Sequence, residues 1–260
     1  MSEKTVTFES NDGVGFITLD RPPANSYEIN FMRDLDAAID AAIGDAGTKA
    51  VIVKSASEKF FSAGADIKAF TSNPTDANME MVGVAHGALG KMAKSDKMFI
   101  ALIQGHALGG GFEMALACDF RFGAEGKYRV GLPEVTLGLL PGNGGTQRLS
   151  RLVGPNKALE LMVGGDALLP EDAHKLGMIN KIFSAESAHD ETVKYASRLA
   201  KGPTLAIGNI KKSVYQGITM SLDEGLALER QLVEPLFNSK DGQEGLTAFV
   251  EKRKAEFYGE

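Results

Sequence analysis

Two glutamates occupy places where a chain rarely leaves a charge. Glu113 follows three consecutive glycines in GHALGGGFEMALACDF (residues 105–120) and opens an almost wholly apolar run. Glu134 lies in GLPEVTLG, behind Pro133 and between apolar residues. An ionised carboxylate taken out of water costs several kcal/mol unless something compensates it. Taken singly, each residue also admits a structural reading, a buried carboxylate capping a backbone group. As a pair they suit proton transfer to and from a reacting molecule.

The glycine turns supply a second ingredient. In GGGFEMALAC a helix is expected to begin within or just after the glycines. The first N–H groups of a helix have no intrahelical acceptor, and with no β-carbon nearby an oxygen atom can approach the N–H of Gly110 closely. FFSAGADIKAF has the same form: a strand ends, Gly64 turns the chain, and a short helix starts around Asp66, leaving the N–H of Ala65 free. Two such donors converging on one oxygen make an oxyanion hole, worth about 3–4 kcal/mol per donor to a developing enolate. Each turn alone is an ordinary strand-to-helix connection; with two glutamates added, the set reads as acid–base chemistry beside a stabilised oxyanion.

Other chemistries lose support. There is no G-x-x-x-x-G-K-[ST], and GNGGTQ at 142–147 has Gln147 where the dinucleotide fingerprint needs its last glycine. Around Ser62 the sequence is FFSAG, not the G-x-S-x-G of a nucleophile elbow. His86, His106, His174 and His189 are far apart, without the spacing of a metal site. A net charge of −6 with 28 dispersed basic residues argues against nucleic acid as the main partner. No stretch approaches the roughly 20 apolar residues that span a bilayer. MSEKTVTFES has neither a signal-type nor a transit-type pattern, and Cys118 has no second cysteine to pair with. A soluble chain in a reducing, cytoplasmic compartment is expected.

The elements that must position these residues alternate between two periods. TVTFES and VGFITLD read as strands about an NDG turn, AVIVKS and MFIALIQG as buried strands. INFMRDLDAAIDAAI carries Ile29, Met32, Leu35, Ile39 and Ile43 on one helical stripe, and residues 77–94 form a long helix. Beyond about residue 155 the pattern is mostly helical. A helix ends at the paired glycines of NKALELMVGG, a short one begins near Pro170, and INKIFS is a short strand. Helices follow around 187–201, 203–216, 221–237 and 241–256. The expectation is an α/β core with a helical C-terminal portion.

SAGADIKAF, GHALGGGFEMALACD, GLPEVTLGLLPGNGGTQRLSRLVG and GLTAFVEKRKAEF together resemble the enoyl-CoA hydratase/isomerase (crotonase) family, from about residue 5 to the end. The resemblance implies a spiral of repeated ββα units over residues 1–200 and a helical region, 201–260, used in trimerisation, often with two trimers forming a hexamer. It also implies an acyl-CoA thioester whose oxygen is held by the N–H groups of Ala65 and Gly110. Coenzyme A is then part of the substrate, and no separate cofactor or metal is expected. By resemblance Glu113 and Glu134 hold a water together, Glu113 as the base for its attack and Glu134 as donor of the α-proton. Ala63 and the ADIK segment (Ala65, Asp66, Ile67, Lys68) match contacts to CoA and acyl groups. Phe249 and Lys252 match tail positions that reach CoA across a subunit boundary, though they also suit an ordinary amphipathic helix.

One stretch departs from the family. RPPANSYEINFM lacks one residue of the family's RP-x-A-L-N-A-L pattern and carries Ser26 and Tyr27 where small and apolar residues are usual. Because this loop borders the CoA and acyl group in the family, it leaves acyl preference open. Hydration of a 2-enoyl-CoA, with β-oxidation as the setting, is the leading expectation. Double-bond isomerisation, or hydration of a branched or aromatic enoyl-CoA, is the alternative within the family. A non-catalytic assembly or RNA-binding subunit is the alternative outside it, against which the acidic balance and the intact glutamate pair count.

Overall fold

The computed structural model describes residues 4–260, so the first three residues of MSEKTVTFES lie outside it. The chain opens with the antiparallel pair β1 (Val6–Asn11) and β2 (Val14–Leu19). Asp12 and Gly13 both take positive φ, the geometry that lets a two-residue turn follow the strand twist. Then come α1 (Ile29–Gly44), β3 (Ala50–Ser55), β4 (Phe60–Ser62), α2 (Ile67–Ser72) and α3 (Thr75–Lys94). The next stretch holds β5 (Met98–Ile103), β6 (His106–Leu108), α4 (Gly110–Ala117), β7 (Phe120–Ala124), β8 (Val130–Gly131) and a 3₁₀ turn at Glu134–Leu137. The remaining elements are α5 (Gly145–Val153), α6 (Pro155–Gly164), β9 (Ala167–Leu168), α7 (Pro170–Lys175), β10 (Lys181–Phe183) and α8 (Ala188–Ala200). α9 (Thr204–Gly217), α10 (Leu222–Phe237) and α11 (Lys240–Glu251) complete the chain.

Two sheets organise these elements. One has the order β1-β2-β3-β5-β7-β10, the other β4-β6-β8-β9. Each pair β3/β4, β5/β6 and β7/β8 sends its first strand to the large sheet and its second to the small one, and helix follows. This is the repeated ββα spiral that the resemblance implied. Corresponding strands of successive repeats pair in parallel within each sheet. The free ends of the small-sheet strands therefore emerge side by side, and the glycine turns follow them.

The continuous apolar runs in β3 and β5 exist because both faces of the large sheet are covered. Val51, Val53, Phe99, Ala101 and Ile103 pack with α1, α3 and α4, around Phe31, Leu35, Ile39, Leu89 and Phe112. Ala50, Ile52, Ile100 and Leu102 face the opposite way, against Ala188 and Ala196 of α8. The predicted α1 stripe is found, with Met32, Leu35 and Ile39 buried and Ile29 and Ile43 at its margins.

The last helix departs from its predicted span of 241–256. It stops at Glu251 because Lys252 takes a left-handed conformation, φ 56°. The tail then folds back on the start of the same helix. Asp241 accepts from the N–H groups of Tyr258 (2.6 Å) and Gly259 (2.8 Å), and Arg253 forms a two-pronged pair with Glu244. These bonds join residues too far apart in sequence for helical periodicity to register.

Candidate active site

Gly64 follows the last residues of β4 with φ +90°, a conformation that side chains disfavour. A Cβ there would also lie 2.9 Å from Leu108 O and 3.3 Å from Gly110 N, so the two glycine turns are packed directly together. Asp66 ends the first turn as N-cap of α2, accepting from Lys68 N and Ala69 N. Gly110 is the first residue of α4, whose eight residues are all buried. Among the described residues, neither the N–H of Ala65 nor that of Gly110 has an acceptor; Asp66 N bonds Tyr27 O and Glu113 N bonds Gly109 O around them. The turns thus lie side by side, each with an N–H that has no acceptor among the described residues.

Both glutamates border this pair. Glu113 is 1% exposed, in the first turn of α4. Its Oε1 accepts from Asn143 N at 2.8 Å and Gly145 N at 2.6 Å. Gly145 opens α5, so Glu113 caps that helix, where the positive end of the dipole favours an anion. The backbone-capping role weighed from the sequence is therefore real, but it uses only one carboxylate oxygen. Burial raises the Glu113 carboxyl above its ordinary range, and the two N–H groups and the Arg148 guanidinium oppose that shift.

Glu134 is held differently. It begins the 3₁₀ turn behind Pro133, and its Oε1 comes so close to Gly109 that a Cβ there would lie 3.0 Å away. Its Oε2 is buried with no hydrogen-bond partner among the described residues. Burial, reinforced by the Glu113 charge, pushes its carboxyl up to about 7, opposed only by a bond from its own backbone. Buried polar atoms are nearly always paired, so this oxygen is free to take a partner from outside the chain, such as a water.

This has a consequence for stability. The folded pKa of Glu134 lies above its ordinary 4.5, so the folded state holds the proton more tightly, and stability falls as pH rises from that value through about 7. Glu134→Gln removes the penalty. At pH 8 the variant is expected to melt at a higher temperature than the parent, and at pH 4 the difference should close. Calorimetry at the two pH values checks this, and a lower Tm for the variant at pH 8 would contradict it.

A cavity of about 480 Å³ adjoins the first glycine turn. Ala63, Ala65, Asp66, Ile67 and Lys68 line it, together with Arg21 and Ser26 of the departing loop. Arg21 reaches Asp66 Oδ2 at 3.3 Å and also donates to Ser26 O, fastening that loop to the turn. Gly110 and the two glutamates do not line this cavity, and neither do Phe249 and Lys252. Phe249 is 84% exposed on α11. Within one chain the tail residues and the ADIK segment are thus not assembled. Among the described residues no group of three or more His, Cys, Asp or Glu could hold a metal. No helix there is long and apolar enough to cross a membrane.

Sequence reasoning missed what surrounds Glu113: the Asn143 and Gly145 N–H groups that hold it and the nearby Arg148 charge. The signal was present: GNGGTQR is a third glycine turn ahead of a helix, and testing it only as a phosphate loop overlooked its N–H groups. Arg21 carried no signal beyond its place in the departing loop.

The family model described as enoyl-CoA hydratase/isomerase matches residues 9–260. The chain belongs to the enoyl-CoA hydratase/isomerase family. A crystal structure of an enoyl-CoA hydratase from Geobacillus kaustophilus HTA426 superposes with TM-score 0.96 at 40% identity, covering 100% of this chain and 98% of that one. A protein of Rhizobium meliloti named "probable enoyl-CoA hydratase" is 38% identical, over 99% of each chain. The crotonyl-CoA hydratase of Syntrophomonas wolfei is 35% identical, again over 99% of each. The Geobacillus structure shares this fold over the whole chain, the C-terminal helices included.

Proposed function

We propose that this chain is an enoyl-CoA hydratase, adding water reversibly to a 2-enoyl-CoA to give a 3-hydroxyacyl-CoA. The observation that carries this is a pair of glutamates in unlike settings, one tethered by two N–H groups and one with an orphaned oxygen, beside two unpaired donors. The thioester oxygen accepts from Ala65 N–H and Gly110 N–H. Glu113 takes a proton from water as its oxygen bonds to the β-carbon, and the double-bond electrons move onto the thioester oxygen as an enolate. Glu134 then delivers its proton to the α-carbon, and the enolate collapses to the thioester. The unlike environments support this division of roles: donors that favour an anion suit the base, and a carboxyl raised to about 7 suits the acid. Loss of the enoyl-thioester absorbance on mixing with crotonyl-CoA tests the proposal. No change across a panel of straight, branched and aromatic enoyl-CoAs would overturn it in favour of a non-catalytic role.

Lys68 at the cavity and Lys252 on the tail are assigned to the CoA phosphates. Free CoA should bind more weakly as salt is added, because exposed charges are screened. Lys68→Ala or Lys252→Ala should weaken it further. Calorimetric titration giving unchanged affinity in both variants would remove the two lysines from the site.

The same proposal makes the protein a homotrimer or a dimer of trimers. No residue of α10 is buried, and Leu222 (77%), Phe249 (84%) and Val250 (79%) lie open on the C-terminal helices. Apolar surface on this scale is expected to be covered by other copies, which would also carry Phe249 and Lys252 to a neighbouring cavity. Light scattering should give a multiple of the 27.7 kDa chain mass, and the single mass at micromolar concentration would refute this. A cytoplasmic, reducing setting fits the one cysteine, Cys118, a buried free thiol, and β-oxidation is the pathway proposed for it.

A further inference from the structure

Tyr27, which the departing loop places against the site, has no part in the reaction above. It is buried at 3% exposure and anchored through its backbone to the first glycine turn: its N–H bonds Gly64 O at 2.9 Å and its carbonyl accepts from Asp66 N at 2.8 Å. Its hydroxyl reaches so far towards the second turn that a Cβ on Gly110 would overlap it. There it accepts a 2.6 Å hydrogen bond from Asn143 Nδ2, a residue 116 positions later in the chain. Asn143 is itself buried, and its N–H is one of the two that hold Glu113 Oε1. Its carbonyl accepts from Arg148 Nη1 at 2.8 Å. One phenol oxygen therefore links the oxyanion turn to the loop that tethers the base.

We propose that Tyr27 is a positioning residue for the general base, acting through Asn143 to fix the 143–145 loop so that Glu113 keeps one oxygen tethered and the other available to the reacting water. The inference rests on the hydratase reading of the site. A hydroxyl is buried at a cost unless paired, and here the Asn143 side chain supplies the pairing. Removing it frees the Asn143 side chain and loosens the alignment of the Asn143 N–H with Glu113. A buried carboxylate with weaker donors keeps its proton to higher pH. The groups facing Glu113 are Arg148 of α5, Glu134 of the 3₁₀ turn and Tyr27 itself. His86 of α3 holds the same loop from outside, through Gly142 O at 2.6 Å.

The test is Tyr27→Phe, which keeps the ring and its packing on Phe31, compared with Asn143→Ala and the double variant. Crotonyl-CoA hydration measured from pH 5 to 9 should show kcat lowered about 10–100-fold in each single variant, as for a base displaced by a fraction of an ångström. KM should stay within about twofold, and the acid limb of the profile should move to higher pH. The double variant should be no worse than the poorer single one, because both act along one path. Infrared titration of the free protein gives a readout independent of turnover: the carboxyl band absent from Glu113→Gln should titrate at higher pH in Tyr27→Phe. An acid limb and carboxyl band unmoved in Tyr27→Phe, even with a lowered Tm, would overturn the proposal, as would losses that multiply in the double variant. If the parent protein hydrates no enoyl-CoA, the hydratase reading fails on its own, and the infrared shift alone decides the positioning role.

Discussion

Glu113→Gln and Glu134→Gln are each expected to lower hydration of crotonyl-CoA by about 10²–10⁴-fold, the range for loss of a positioned acid or base. Glutamine keeps the size of the side chain, so folding should survive both changes. In Glu113→Gln the amide oxygen can still accept from Asn143 N and Gly145 N, which separates loss of the base from loss of the cap. Both residues act on one water and one enolate, so the losses should not multiply, and the double variant should be little worse than the poorer single one. The pH profiles carry a second signature. In the hydration direction the base must be ionised and the acid protonated, so the parent rate should fall at low pH and again above about 7, where Glu134 loses its proton. Two close carboxylates titrate together, and the apparent values belong to the pair. The residual activity of Glu134→Gln should lack the alkaline limb. A pure isomerase would depend on only one of the two. Near-parental hydration in either single variant would refute the two-glutamate mechanism.

Gly110→Ala is the second large effect. The added Cβ would overlap the Tyr27 hydroxyl and lie 2.5–2.6 Å from the ring atoms Cζ and Cε1. Something must move. Either the Gly110 N–H leaves its place beside the Ala65 N–H, or Tyr27 is forced from its bond to Asn143. Turnover should fall about 10²–10³-fold, the loss seen when one oxyanion donor is displaced, and Tm should fall by several degrees because the clash lies in close-packed core. Gly87→Ala is the control. That residue lies inside α3 with nothing within 4 Å of its added Cβ, so the helix should gain about 0.5–1 kcal/mol. Rates near the parental value are expected there. Parental turnover in Gly110→Ala would remove its N–H from the mechanism.

Much of this was legible in the sequence because it depends on local physics. The stripe of Met32, Leu35 and Ile39 needs only helical periodicity to show which face of α1 is buried. The apolar runs of β3 and β5 announce strands covered on both sides, and Asn11-Asp12-Gly13 announces a tight turn. A glycine ahead of a helix announces free N–H groups whatever surrounds it, so Ala65 and Gly110 could be named before any fold was known. What only the tertiary structure decided is which of these local features meet. Gly64 and Gly110 come into contact because β4 and β6 are neighbours in the small sheet, a pairing that no local pattern encodes. Glu113 is held by a third glycine turn about thirty residues further on, and Tyr27 finds Asn143 across 116 residues. The end of α11 is set by a tail that returns to Asp241, not by the periodicity that ran on past Glu251. Propensity acts over a few residues, whereas these contacts depend on how the sheets stack and which loops that stacking brings together. The elements and the reactive residue types were therefore written along the chain, and the unlike surroundings of the two carboxylates were fixed only by the packing around them.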